Sequence, residues 1–384
     1  MRTLLLCGAA LLACNSPDPA ALSQWNVRFA LNDSTEAHVR FEGNKDGLFV
    51  RNDAERIPLE AIGEDVYRMP VFGGSLRVVW NEHGFEGHWI DSLRPDEYRV
   101  PFTAESLDAV PETGERACGE WNFLWEGDTL ATDRLLLCTW GDSASGTVAS
   151  PTGDLRYLAG TLRNGILNLS TFDGAHLYAF QARATANGFV NGTLHSGIHG
   201  FTRWRAEAGE AGEAPHAETL RIAAETSFAV RTSTGRDSLI SAVPPAGKLH
   251  LISIAGTWCP NCMDEARTCA ELLQGRNDVQ WSVVLFERDS LPKPGRLAHW
   301  ARSCGASTLP FIGGGASKER AAEVFPWIPG GISAFPTTAI VRDDGSAWVH
   351  VGFDGPATGT AHTRLKEVFR EALQPTAAQV SDLP

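Results

Sequence analysis

Between residues 206 and 218 the hydrophobic pattern of this chain changes period, and the two sides of the change call for two different kinds of fold. Upstream, from about residue 25 to 204, short runs such as 75–80, 98–102, 135–140, 165–169, 177–182 and 188–194 read as strands, punctuated by glycine, asparagine and aspartate turns. Helical periodicity is nearly absent there, so this part is expected to be an all-β antiparallel sandwich or barrel. Seven of the twelve tryptophans lie in it, two of them in Gly87-His88-Trp89 and Gly119-Glu120-Trp121. They read first as core and girdle residues; a ligand pocket like that of a small barrel is the other reading. The break itself is rich in alanine, glycine and glutamate, contains Pro215 and has no apolar face, as a solvated linker would.

Downstream the pattern alternates strands with helices. An almost unbroken apolar strand at 249–255 is followed by a helix from Pro260 to about Leu273, a buried strand at 281–286, and helices at 297–302 and 318–325. Runs 337–341 and 347–351 form a hairpin around Asp343-Asp344-Gly345, and a last helix covers 361–373 with Thr360 as its N-cap. This order describes an open α/β sheet, in which an active centre belongs at the carboxyl end of a central strand. A chain of 384 residues exceeds one ordinary core, so two folded domains are expected: a β-rich domain at 25–205 and an α/β domain at 219–375, with a tail at 376–384.

Trp258-Cys259-Pro260-Asn261-Cys262 falls where that rule puts the chemistry, between the strand 249–255 and the following helix. Unpaired amides and the positive end of the helix dipole stabilise a thiolate at such a point, and thiolate is the species that attacks a disulfide. Pro260 suits the first helical position because its missing N–H would have had no partner. Cys259 is then the attacking sulfur, and Cys262 lies on the same helical face to resolve a mixed disulfide. No second CxxC with zinc spacing is present, and no metal site is expected. His195 and His199 have i,i+4 spacing but fall in strand-and-turn sequence, where that spacing does not pair them.

The segment Ala255-Gly256-Thr257-Trp258-Cys259-Pro260-Asn261-Cys262 resembles the active-site segment of thioredoxin-fold proteins, and specifically the TlpA/ResA-type thiol:disulfide oxidoreductases of bacterial envelopes. Phe335-Pro336-Thr337-Thr338 resembles the cis-proline loop of that family, and Gly352-Phe353-Asp354-Gly355-Pro356 the loop entering its last helix. The resemblance covers residues 219–375 and implies a thioredoxin-like fold. It makes Cys259, Cys262 and Pro336 catalytic residues, and Trp258, Phe335 and Thr337 the substrate-facing set. A cis X–Pro bond would expose the backbone of Phe335 to an extended substrate chain.

One position departs from the pattern: thioredoxins keep a buried aspartate six residues before the first catalytic cysteine, where this chain has Ser253. Glu287, at the end of the strand 281–286, is a substitute proton acceptor for Cys262; the other reading makes it a solvated strand-end charge beside Arg288. Asp264 and Glu265 are expected to complement the helix dipole. Gly313-Gly314-Gly315-Ala316-Ser317-Lys318 lacks the ending of a phosphate loop and reads as a flexible loop leading into a helix.

The first residues set the compartment. Met1-Arg2, an apolar stretch at 3–12 and the small Ala13 have the order of a secretory signal, and the apolar stretch is too short to span a bilayer. Leu11-Leu12-Ala13-Cys14 resembles the bacterial lipobox, which implies removal of 1–13 and acylation of Cys14, with 14–24 as a tether. Asn15, in place of the aspartate that enterobacterial lipoproteins use for inner-membrane retention, points to the periplasmic side of the outer membrane. Cys118, Cys138, Cys259, Cys262, Cys269 and Cys304 then remain, an even number that permits full pairing in an oxidising compartment. Cys118 with Cys138, and Cys269 with Cys304, are the expected structural bridges; burial as free thiols is the alternative for all four.

The formal charge of −13, with no lysine or arginine run, disfavours nucleic acid and anionic headgroups as partners. The resulting expectation is a lipid-anchored periplasmic enzyme that reduces or exchanges protein disulfides. It would use no cofactor beyond its redox-active cysteines, and its electrons would come from a membrane thiol donor. The alternatives are a thiol peroxidase-like antioxidant and a ligand-binding lipoprotein with a redox-sensing CxxC.

Overall fold

A computed structural model describes residues 23–43, 47–69, 72, 74–91, 94, 98–107, 114–209, 217–288 and 294–374. Cys14 and the tail 376–384 lie outside them. Among the described residues no helix is long and apolar enough to cross a membrane.

Eight sequential antiparallel strands, from Ser23–Asn32 to Arg99–Leu107, close into a barrel. The first and last strands pair in register, Val27 opposite Ala104 and Phe29 opposite Phe102. Every second residue points inward, so Trp25, Val27 and Phe29 on the first strand meet Val39, Phe41, Phe85 and Phe102 in one aromatic core. A second sheet of nine strands follows, from Ala117–Trp125 to Gly200–Glu207. Its strands Asp133–Trp140 and Ser143–Ser150 also pair with each other, so this sheet too comes round on itself. The region 25–205 therefore contains two closed or nearly closed sheets where one sandwich or barrel is expected. A period of two shows which residues face inward but not which strand closes on which.

Phe172 of the second sheet is fully buried in the barrel's core, 4.9 Å from the ring of Phe29 and 5.1 Å from that of Trp89. Asn52 fixes it there: its side-chain amide donates to Phe172 O at 2.9 Å, and Phe172 N donates back to Asn52 Oδ1 at 3.2 Å. Cys118 and Cys138 face each other on adjacent antiparallel strands of the second sheet and form a disulfide, with Cα atoms 4.0 Å apart.

The C-terminal part is an eight-stranded mixed sheet. Its central strand Leu249–Ala255 is buried at all seven positions, as a strand covered on both faces must be. It runs parallel to Val279–Glu287 and antiparallel to Thr337–Arg342. Helices Pro260–Leu272, Pro294–Cys304, Lys318–Val324 and Thr360–Ala372 connect or cover these strands. Residues 313–315 belong to a strand, Phe311–Gly315, and not to a flexible loop. A Cβ on Gly313 would collide with the ring of Phe286, so glycine here leaves room for that ring. The last helix has Gly359 as its N-cap, in a left-handed conformation at φ 60°, and Thr360 is already helical.

Candidate active site

Ala255 ends the central strand, and the chain turns through Gly256, Thr257 and Trp258 into the helix Pro260–Leu272. Glu287, buried at the end of the neighbouring parallel strand, holds this turn. Its carboxylate accepts from Thr257 N and Thr257 Oγ1, both at 2.7 Å, and from Arg296 at 3.2 Å. Glu287 is thus neither a solvated charge nor a free base for Cys262; it anchors the loop that carries the cysteines. Trp258 donates from Nε1 to Phe286 O at 2.8 Å and lies edge-on to Phe335, with the Arg288 guanidinium over its ring.

Cys259 is the helix N-cap, and its Sγ accepts the backbone N–H of Cys262 at 3.2 Å. Cys259 and Cys262 form a disulfide, and Cys262 is fully buried. The Phe335–Pro336 peptide bond is cis, and the carbonyl oxygen of Phe335 stands 3.6 Å from Cys259 Sγ. The site thus brings together Trp258, Cys259, Cys262, Phe335 and Pro336. Thr337 is fully buried and donates its hydroxyl proton to Ala334 O at 2.8 Å, so it shapes the proline loop and does not face a substrate.

Two acidic residues of the helix do other work than complementing a dipole. Both are buried, beyond the first turn's exposed edge. Asp264 pairs with Arg156 of the second sheet and with Arg267 at 3.4 Å. Glu265 has no exposed surface; Ser253 Oγ donates to its Oε1 at 3.4 Å, while Oε2 has no side-chain or backbone partner. Burial raises its pKa to about 8. Ser253 in turn accepts from Trp281 Nε1 at 3.2 Å. The position that lacks an aspartate therefore hydrogen-bonds a carboxyl supplied one turn along the helix from Cys262. The signal was present in the sequence, since a carboxylate at i+3 from Cys262 shares its helical face.

Cys269 and Cys304 are free buried thiols, so the expected bridge between them does not form. They sit in different apolar clusters: Cys269 packs with Leu251, Ile340 and Phe369, Cys304 with Met263, Leu297 and Trp300. Burial pushes the Cys304 thiol up to about 12 and raises that of Cys269 well above the usual thiol range, with Glu265 nearby adding to the effect, so neither is poised as a nucleophile. Among the described residues no cluster of metal-ligating side chains is found.

No family model matches the chain, and no curated protein matches it. Solved structures do match part of it. A thiol:disulfide interchange protein of the thioredoxin family from Chlorobium tepidum TLS is 18% identical over 40% of this chain and 99% of its own, with a TM-score of 0.27. StoA from Bacillus subtilis is 16% identical over 39% and 98%, with a TM-score of 0.27. A secreted disulfide oxidoreductase from Mycobacterium tuberculosis is 18% identical over 36% and 95%, with a TM-score of 0.26. At such identities and scores, the chemistry has to be read from this chain's own side chains.

Proposed function

We propose that this chain is a thiol:disulfide oxidoreductase of thioredoxin-like type, working through the Cys259/Cys262 dithiol on protein disulfides. The observation that carries the reading is the placement of Cys259 Sγ at a helix N-terminus, on a backbone N–H and 3.6 Å from the Phe335 carbonyl. The amide and the helix dipole favour the thiolate, and the carbonyl offers a pairing point for an extended substrate chain.

In the reduced enzyme the Cys259 thiolate attacks one sulfur of the substrate disulfide. That S–S bond breaks, the leaving thiolate takes a proton, and a mixed disulfide remains. Cys262 then gives up its proton and attacks the Cys259 sulfur, releasing the second substrate thiol and closing the 259–262 bond. Two electrons pass to the substrate. Glu265 is the carboxyl we assign to the Cys262 proton, because it lies on the same helical face and its raised pKa suits exchange near neutrality.

Redox titration of the full chain against glutathione tests the reading: a two-electron couple should appear and vanish in Cys259→Ser. A chain that never exchanges with glutathione or with any disulfide would end it. The anchor is a separate part of the proposal. Cys14 is taken as the lipidated residue, holding the enzyme on the periplasmic side of the envelope, in the outer membrane, with electrons from a membrane thiol donor. Cys14→Ser should leave the membrane fraction with its thiol chemistry intact; a mature variant still fully membrane-bound would refute the anchor.

A further inference from the structure

Cys259, the sulfur that must meet an incoming disulfide, is only 5% exposed, and residues from outside its own sheet belong to its apolar cluster. Phe72 of the barrel region and Ala175 of the second sheet pack into the same apolar cluster as Cys259, Cys262 and Met263. Beside them, the tight turn 151–156 of the second sheet enters the cleft between the CxxC turn and the loop 352–355. Asn261, between the two cysteines, donates from Nδ2 to Asp154 O at 3.1 Å, and Gly355 N donates to Asp154 Oδ2 at 2.6 Å. The surfaces are fitted to each other: a Cβ on Gly153 would collide with Asn261 Nδ2, and one on Gly355 with the Asp154 carboxylate.

A buried guanidinium fastens the contact. Arg156 pairs with Glu55 of the barrel and with Asp264 of the CxxC helix, so one side chain pins all three sheets at the exchange site. Buried pairs of this kind contribute little net stability compared with apolar packing, but removing one partner strands a charge and opens the contact. An attacking thiolate must approach along the axis of the bond it breaks, and a protein substrate must also lay a strand beside Phe335. The turn docked on Asn261 and Phe72 of the shared apolar cluster stand beside the residue that both approaches need.

We infer that the β-rich part is a cover on the exchange site, latched by the turn 151–156 and Arg156, and that protein disulfides are admitted only when the latch releases. The inference rests on the exchange reaction proposed above for Cys259. The exchange rates of the reduced full chain with a small aliphatic disulfide and with insulin disulfides test it. Glu55→Gln/Arg156→Met removes the guanidinium together with one of its carboxylates and leaves Asp264 still paired with Arg267. This variant should speed insulin reduction at least about tenfold by raising the open population, with a smaller change for the small disulfide. Equal, non-zero insulin rates in wild type and variant would overturn the cover and leave the exchange reaction standing. No exchange with either disulfide in either protein would remove the reaction, and the cover with it.

Should the variant lose its near-UV circular dichroism, the wild type decides. After reduction, N-ethylmaleimide should label Cys259 at least about tenfold faster than a long polyethylene glycol maleimide, because only the small reagent reaches the closed site. Comparable rates for the two reagents would mean that no cover exists.

Discussion

Cys259→Ser is expected to abolish disulfide exchange, while Cys262→Ser keeps the first attack and accumulates mixed disulfides with its substrates. The asymmetry follows from placement. Cys259 occupies the N-cap and accepts the Cys262 amide, whereas Cys262 is fully buried beneath it and can reach only the Cys259 sulfur. A hydroxyl at position 259 stays protonated at working pH and cannot replace the thiolate, so the residual rate should fall to the uncatalysed background. Non-reducing electrophoresis of each variant with a disulfide-bonded peptide measures the outcome, and equal trapping by both would show that the roles are wrongly assigned.

The second large effect concerns Glu265. Its pKa is raised by burial to about 8, so the folded state prefers the neutral acid. The sign follows from linkage: stability from this group is complete below its ordinary pKa and is lost as pH rises through about 8. The loss is of the order of several kcal/mol, about 5 at most. Glu265→Gln cannot ionise, so it should gain on wild type in urea denaturation as pH goes from 5 to 9. Exchange should respond in the opposite sense: the variant should lose the inflection near pH 8 in the rate of mixed-disulfide resolution and run slower throughout. Parallel stability curves would show that the Glu265 pKa is not raised, and diverging curves with an unchanged pH–rate profile that Glu265 is an inert buried acid.

Most of the reactive geometry was legible because it is local. The apolar run 249–255, the Cys-Pro-Asn-Cys turn and the Phe335-Pro336 step are short segments whose physics is decided within a few residues, and the strand, helix and cis bond stand where those segments put them. What was not legible depends on distant partners. Glu287 looked like a solvated charge or a free base because nothing near it in sequence announces Thr257 or Arg296, which together occupy its carboxylate. Glu265 has the sequence position of a helix-dipole charge, and burial of its face depends on the sheet beneath it. Cys269 and Cys304 fall on helices that do pack together, but their side chains point into different clusters, which helical periodicity alone does not distinguish. For a similar reason the sequence shows one all-β region, a sandwich or a barrel, where two separately closing sheets stand. Alternation marks an inward face, and only the pairing of Ser23–Asn32 with Arg99–Leu107 shows that the first barrel is complete before the second sheet begins.

That completeness is only geometric, as Phe172 makes plain. The barrel's strand ladder closes within residues 23–107, yet its aromatic interior is finished by a side chain borrowed from the next sheet and held by Asn52. A barrel lifted out of this protein would arrive with a hole among Phe29, Phe41 and Trp89, and the second sheet would carry a bare phenyl ring into water. Gene rearrangement that cut between residues 107 and 117 would damage both pieces. The two sheets are accordingly a single heritable unit, and recombination could move them intact only as a pair.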